Sequence, residues 1–250
     1  MRNIKDYTEK YIQHYQSEFS FERVMSRSRI QKVLASLKKY PHKSILDIGC
    51  GFDPIFQYCK NNINFTVVEP SPTFIHNVKR LAQRRPGITV IQNYFEKVYK
   101  LFEKSKEFDF IIMSSLLHEV PDPQKLLQAI YAVCRDDTVV HINVPNVRSL
   151  HRILAFEMGM IKSLFDKSRT EKEFHRNTRF DKETLFEMMR KNGFQILSFG
   201  TYFIKFFSNK QMETIIKHRI VDESFVAGLE KMIDYMPEFG CEMFVEAKKS

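Results

Sequence analysis

The stretch SILDIGCGFDP, residues 44–54, decides the reading of this chain. Branched apolar residues lead into Asp47, and Gly49 and Gly51 then bracket Cys50. A buried strand that ends in a tight turn has this pattern. The two glycines let the backbone turn through conformations closed to other residues and come close to a ligand. In an open parallel sheet, ligands sit beyond the carboxyl ends of the strands.

The residues around this stretch repeat a strand–helix rhythm. NFTVVEP reads as a second strand stopped by Pro70. SPTFIHNVKRLAQRR reads as a helix capped by Ser71 with Pro72 in its first turn, and GITVIQN as a third strand. PIFQYCKNN and FEKVYKLFEKS have helical spacing, and DPQKLLQAIYAVC is a further helix. FDFIIMSS is almost continuously apolar, as expected of a parallel strand covered on both faces, and TVVHINVP is a fifth strand.

The alternation predicts a doubly wound, mostly parallel α/β sheet. After Pro145 the rhythm breaks. SLHRILAFEMGMIKSLF reads as helix and DKSRTEKEFHRNTRF as a charged segment. DKETLFEMMRKNGF is a helix capped by Asp181 and stopped by Gly193. QILSFGTYFIKFF and CEMFVEAKK return to strand, with helical sequence between them.

Bulk properties bound the alternatives. With 250 residues, 43% of them hydrophobic, the chain can build one sizeable core. No apolar run reaches the roughly 18 residues that a membrane helix needs, and the N-terminus lacks a secretory h-region. Cys50, Cys59, Cys134 and Cys241 are scattered without zinc-like spacing, so no metal site is expected; they read as reduced thiols of a cytoplasmic protein. The net charge of +9 suits an anionic substrate or nucleic acid, or only a soluble surface.

Two cofactor readings compete at the glycine turn. A dinucleotide site needs a third glycine and tolerates no acids beside its pyrophosphate. Here the third glycine is absent and Asp47 and Asp53 flank the turn, which suits a cationic ligand. ILDIGCGFD resembles the first motif of Rossmann-like S-adenosylmethionine-dependent methyltransferases. The resemblance implies a seven-stranded sheet with its last strand antiparallel, and S-adenosylmethionine held by Asp47, Gly49, Cys50 and Gly51. Glu69, 22 residues after Asp47, would accept hydrogen bonds from the ribose hydroxyls, with Pro70 beside it. Asn93, Tyr94 and Phe95 would lie at the adenine, and Ser114 at the end of the fourth strand. Asp53 stands where many members have another glycine.

FDFIIMSSLLHEVPDPQKLL resembles the fourth strand and loop of the same family, with Leu117-His118-Glu119-Val120 where many members read Leu-Glu-His-Val. His118, just past the strand end, is the candidate base for a hydroxyl acceptor, and Glu119 could orient or replace it. The alternative for His118 is a wall of the cofactor site.

VPNVRSLHRILAFEMGMI and HRNTRFDKETLFEMMRKNGF resemble a subgroup linked to surface-polysaccharide and specialised-metabolite synthesis. The expected partner is then a small anionic acceptor gripped by His151, Arg152, His175, Arg176 and Arg179. The expected organisation is a single domain: a helical N-terminal cap over 1–40, a cofactor-binding core over 41–145, a helical lid insertion over 146–180 and the end of the sheet over 181–250. His14 and Tyr15 are candidates to close over the site. RNA methylation, a binding protein without catalysis and a NAD-dependent enzyme are the competing readings. The sequence carries no recognisable nucleic-acid module, and no NPPY-like or DPPY-like tetrapeptide follows the fourth strand, where the chain reads SSLL.

Overall fold

The computed structural model describes residues 8, 9, 11–13, 15, 20–167 and 178–250. Seven strands form one sheet in the order β3-β2-β1-β4-β5-β7-β6. They are β1 (Ser44–Ile48), β2 (Asn64–Val68), β3 (Ile88–Ile91), β4 (Phe110–Ser114), β5 (Val139–Pro145), β6 (Phe194–Tyr202) and β7 (Glu242–Lys249). The first five pair in parallel; β7 inserts antiparallel between β5 and β6. The expected mixed sheet is therefore present, with its last strand reversed. β1 to β6 run in the same direction and end at one edge of the sheet.

The described helices are α1 (Phe21–Lys39), α2 (Pro72–Ala82), α3 (Phe95–Val98), α4 (Pro123–Val133), α5 (Leu150–Glu157), α6 (Lys182–Lys191), α7 (Asn209–Lys217) and α8 (Glu223–Lys231). The period-2 alternation along β1 separates the two layers. Leu46 and Ile48 face a core with Leu127 and Ile130 of α4 and Leu185 and Met189 of α6. Ile45 faces the opposite core with Val33 and Leu37 of α1 and Val78 of α2.

Local signals set the helix ends. Ser71 accepts from the Phe74 N–H, with Pro72 at the first position of α2. Asp181 and Thr184 form a reciprocal capping box on α6, and Gly193 follows at φ +83°. Such a cap typically contributes ~1 kcal/mol.

Three expected elements are shorter than their sequence spacing predicts. PIFQYCKNN forms only a 3₁₀ turn, Ile55–Tyr58. Ile55 and Phe56 bury in that single turn, and Lys60, Asn61 and Asn62 offer no apolar face to extend it. FEKVYKLFEKS splits into α3 and a 3₁₀ turn, Tyr99–Leu101. α5 stops at Glu157, where Gly159 takes φ +70°. No described helix is long and apolar enough to cross a membrane.

Candidate active site

The glycine turn is built as its sequence suggested. Gly49 and Gly51 hold φ +70° and +62°, in the left-handed region. A Cβ on Gly49 would also stand 2.9 Å from Leu116 Cδ2, so the loop after β4 packs directly on the turn. A Cβ on Gly51 would meet nothing within 4 Å, so open space lies on that side of the turn. Asp53, the departure from the family pattern, has a task of its own. It accepts from the Tyr15 hydroxyl at 2.9 Å and from Gln57 Nε2 at 3.0 Å. Tyr15 also packs on Phe52, with ring centroids 5.4 Å apart. Thr8 and Ser71 share a hydrogen bond of 2.9 Å between their hydroxyls. The N-terminal segment thus reaches across the turn. His14 lies outside the described residues.

The buried carboxylates Asp47, Glu69 and Glu119 gather at this edge, close enough for the first and last to act on the second. Asp47 is 2% exposed, and its Oδ2 has no hydrogen-bond partner among the described residues. Burial pushes its carboxyl up to about 7, against one stabilising N–H from Ile55. Glu69 is buried too. Its Oε1 accepts from the Ser71 N–H at 2.8 Å, and the Gly51 N–H helps it. Burial, then the charges of Asp47 and Glu119, raise it to about 7. Burial, reinforced by Glu69 and Asp47, keeps the Cys50 thiol protonated. Desolvated carboxylates of this kind call for a ligand that brings positive charge and hydrogen-bond donors. A sulfonium-bearing nucleoside meets both needs, and a pyrophosphate would be repelled.

At the end of β3, Asn93 Oδ1 accepts from the Tyr94 N–H at 2.9 Å. Tyr94 is exposed and lies under Lys97 Nζ, 5.2 Å from its ring centroid. The Phe95 ring is enclosed in the core that holds Leu46, Met113 and Leu117, because α3 starts there and turns it inward. Its ring packs in the core in this structure. Pro70 precedes the Ser71 cap of α2. Ser114 Oγ lies against the Asn143 amide.

His118 and Glu119 stand together. Leu117 is anchored in the core, and the Glu119 N–H closes a turn onto the Leu116 carbonyl at 2.8 Å. His118 is 2% exposed, with Nε2 3.6 Å from Glu119 Oε1. The Thr178 N–H donates to the His118 carbonyl at 3.2 Å, which ties the chain after β5 to this loop. Glu119 also acts electrostatically on Tyr11 of the N-terminal segment, whose phenol burial holds neutral.

The predicted basic clamp is only partly assembled. Arg152 does not offer a free fork: its Nε and Nη2 donate to the Leu164 carbonyl at 3.0 and 2.6 Å, and Nη2 to the Asp166 carbonyl at 2.6 Å. The guanidinium clips the turn after α5. His151 Nδ1 is enclosed, without a hydrogen-bond partner among the described residues. Burial, then the charges of Lys205 and Arg152, hold its imidazole well below the usual histidine range. It is a neutral polar group, not a cation. Arg179 precedes Phe180, whose carbonyl accepts from the Val147 N–H at 3.0 Å. His175 and Arg176 lie outside the described residues.

Lys205, which acts electrostatically on His151, was not anticipated. In sequence it sits inside FIKFF and reads as strand, but β6 ends at Tyr202, and Phe203 takes φ +60°. Tyr11 and Asn143 carried no sequence signal either.

The family described as "Methyltransferase domain" matches residues 14–198. An arsenite methyltransferase of Mus musculus is 25% identical over 95 residues, 35% of this chain, and the match spans only a quarter of that enzyme. A methyltransferase of Thermotoga maritima, described as a possible histamine N-methyltransferase, superposes with a TM-score of 0.64 at 18% identity, over 99% of this chain and all of that one. A magnesium protoporphyrin IX methyltransferase from Synechocystis PCC 6803, solved with S-adenosylhomocysteine bound, gives 0.63 at 13% identity over 97% and 94%. With 185 of its 250 residues matched, the chain belongs to the methyltransferase-domain family, and its cofactor is S-adenosylmethionine.

Proposed function

We propose that this methyltransferase is an O-methyltransferase acting on a small anionic acceptor: a hydroxyl of a sugar, sugar nucleotide or phosphorylated metabolite, as in surface-glycan synthesis in the cytoplasm. The observation that carries the reading is the enclosed His118–Glu119 pair at the end of β4, on the loop that packs against the glycine turn. When bound, the cofactor supplies a methyl group on a sulfonium with a neutral leaving group. Asp47, Glu69 and the Gly49–Gly51 backbone would hold it. His118 takes the hydroxyl proton as the new carbon–oxygen bond forms. Glu119, 3.6 Å away, stabilises the resulting imidazolium.

The anionic part of the acceptor is assigned to the edge beyond β5 and β6. Lys205 and Arg179 supply charge there, and neutral His151 supplies hydrogen bonding. The chain acts as one domain, with 146–180 as a lid and the N-terminal segment as a second cover. The Tyr15–Asp53 bond and the Thr178–His118 bond support this arrangement.

The test is a panel of phosphorylated sugars, sugar nucleotides, amines and RNA assayed for methyl transfer, followed by His118→Gln on whichever acceptor is methylated. A glutamine cannot accept the proton, so turnover should drop roughly 10²–10⁴-fold while cofactor affinity stays near wild type. Full turnover by His118→Gln, or transfer only to amines or RNA, would overturn the reading.

A further inference from the structure

A buried polar chain runs from α1 to the end of β4, and the chemistry described so far does not use it. At its far end Glu246 of β7 accepts from Tyr40 Oη at 2.8 Å and from Lys39 Nζ at 3.2 Å, and also from the Ser36 hydroxyl. Those partners hold its carboxylate charged, below the usual glutamate range despite burial. Ser36 has one proton, and it goes to Glu246. The contact of 2.9 Å between Ser36 Oγ and His141 Nδ1 must then be donated by the ring.

His141 is fully buried, stacked on Phe244 with centroids 5.9 Å apart, and burial pushes it down to about 4. A neutral imidazole protonated on Nδ1 presents Nε2 as an acceptor. Asn143 Nδ2 lies 3.5 Å from that Nε2. The amide nitrogen of Asn143 is thereby turned toward His141, and its oxygen toward β4.

That oxygen holds the loop. Asn143 Oδ1 accepts from the Ser115 N–H at 2.7 Å, which the Asn143 carbonyl also accepts at 3.0 Å. Ser114 Oγ sits 3.0 Å from Nδ2 and 3.2 Å from Oδ1. Ser115 is a non-glycine residue at φ +56°, a conformation that costs energy and persists only where neighbours enforce it. The reversal at Ser115 sends Leu116 onto Gly49 and leads into His118 and Glu119.

We propose that Asn143 is the positioning residue of the loop that carries His118 and Glu119, its amide oriented by the buried chain Glu246–Ser36–His141. The proposal rests on the reading that His118 works at the acceptor, but its test needs no turnover.

Asn143→Leu keeps bulk and removes the side-chain acceptor. Asn143→Asp keeps an oxygen for the Ser115 N–H and, protonated in its buried setting near pH 6, a donor for His141. Nuclear magnetic resonance of the histidine rings and calorimetric titration with S-adenosylmethionine are read on the full chain. With Asn143→Leu, the His118 resonance should move while that of His42, at the other edge of the sheet, stays in place. The cofactor dissociation constant should rise about fivefold, the loss of one buried hydrogen bond. Asn143→Asp should restore both at pH 6.

If Asn143→Leu fails to fold, Ser36→Ala, a mild change in a helix, carries the test. It should release the His141 tautomer and move the His118 resonance in the same direction. Folded variants with unmoved His118 resonances would overturn the proposal. So would nitrogen shifts placing the wild-type His141 proton on Nε2. Full turnover by His118→Gln would instead sink the base assignment and leave this positioning role standing.

Discussion

Asp47→Asn should stabilise the cofactor-free protein and weaken its hold on S-adenosylmethionine. The buried carboxyl titrates near 7 in the folded chain, against 3.8 for a free one. Between those values the folded state keeps a proton that the unfolded state has lost. Stability therefore falls as pH rises through this window, and above about 7 the full cost of the buried charge is present. At about 1.4 kcal/mol for each pH unit, the cost at pH 8 is about 4 kcal/mol, and at pH 5.5 about half of that.

Asparagine has the same shape and keeps an oxygen for the Ile55 N–H, but it buries an NH₂ whose missing partners cost about 1–3 kcal/mol. The net gain at pH 8 is about 1–3 kcal/mol, or roughly 2–10 °C in Tm for a chain of this size. It should shrink to nothing, or reverse, at pH 5.5. Affinity should move the other way. One hydrogen bond involving a charged group is worth about 1.5–3 kcal/mol, so the dissociation constant should rise roughly 10- to 100-fold.

Thermal denaturation at both pH values, with and without cofactor, reads all of this. A variant less stable than wild type at pH 8 without cofactor would refute the reasoning. So would an equal gain at both pH values, because the benefit would then not come from an ionised Asp47.

Glu69→Ala removes hydrogen bonds to a charged group at the cofactor and should raise its dissociation constant at least tenfold by calorimetry; an unchanged constant would clear Glu69 of that role. Because Asp47 and Glu69 both titrate near 7 in the free protein, cofactor affinity should fall as pH drops from 8 to 6, and isothermal titration across that range should show net proton release on binding. Tyr15→Phe deletes the bond to Asp53, and stopped-flow fluorescence should show faster cofactor release, by several-fold, with Tm nearly unchanged. Arg152→Lys cannot clip both Leu164 and Asp166, so hydrogen exchange should accelerate in residues 158–167; exchange at the wild-type rate would leave Arg152 available to the acceptor after all.

What the sequence determined by itself is what local chemistry determines. Strand ends followed from apolar runs cut off at Asp47, Glu69 and Ser114. The turn followed from two glycines whose positive φ other side chains resist. The helix starts followed from Ser71 and Asp181, which satisfy N–H groups within four residues of themselves. Such signals need no knowledge of what lies across the molecule.

The tertiary structure decided everything that depends on which distant residues meet. Asp53 looked like a missing glycine until Tyr15, 38 positions away, was found to donate to it. Arg152 looked like an anion clamp, but nothing in its neighbours says that two carbonyls, 12 and 14 residues on, take its guanidinium. Lys205 reads as strand until β6 ends three residues earlier. His141, Asn143 and Ser36 are unremarkable in sequence. Only sheet pairing with β4 and β7, and the packing of α1, bring them into one hydrogen-bonded line. Burial and proton placement, which set the charge of Asp47, Glu69, His141 and His151, follow from the whole fold, because desolvation is a property of the surroundings rather than of the residue.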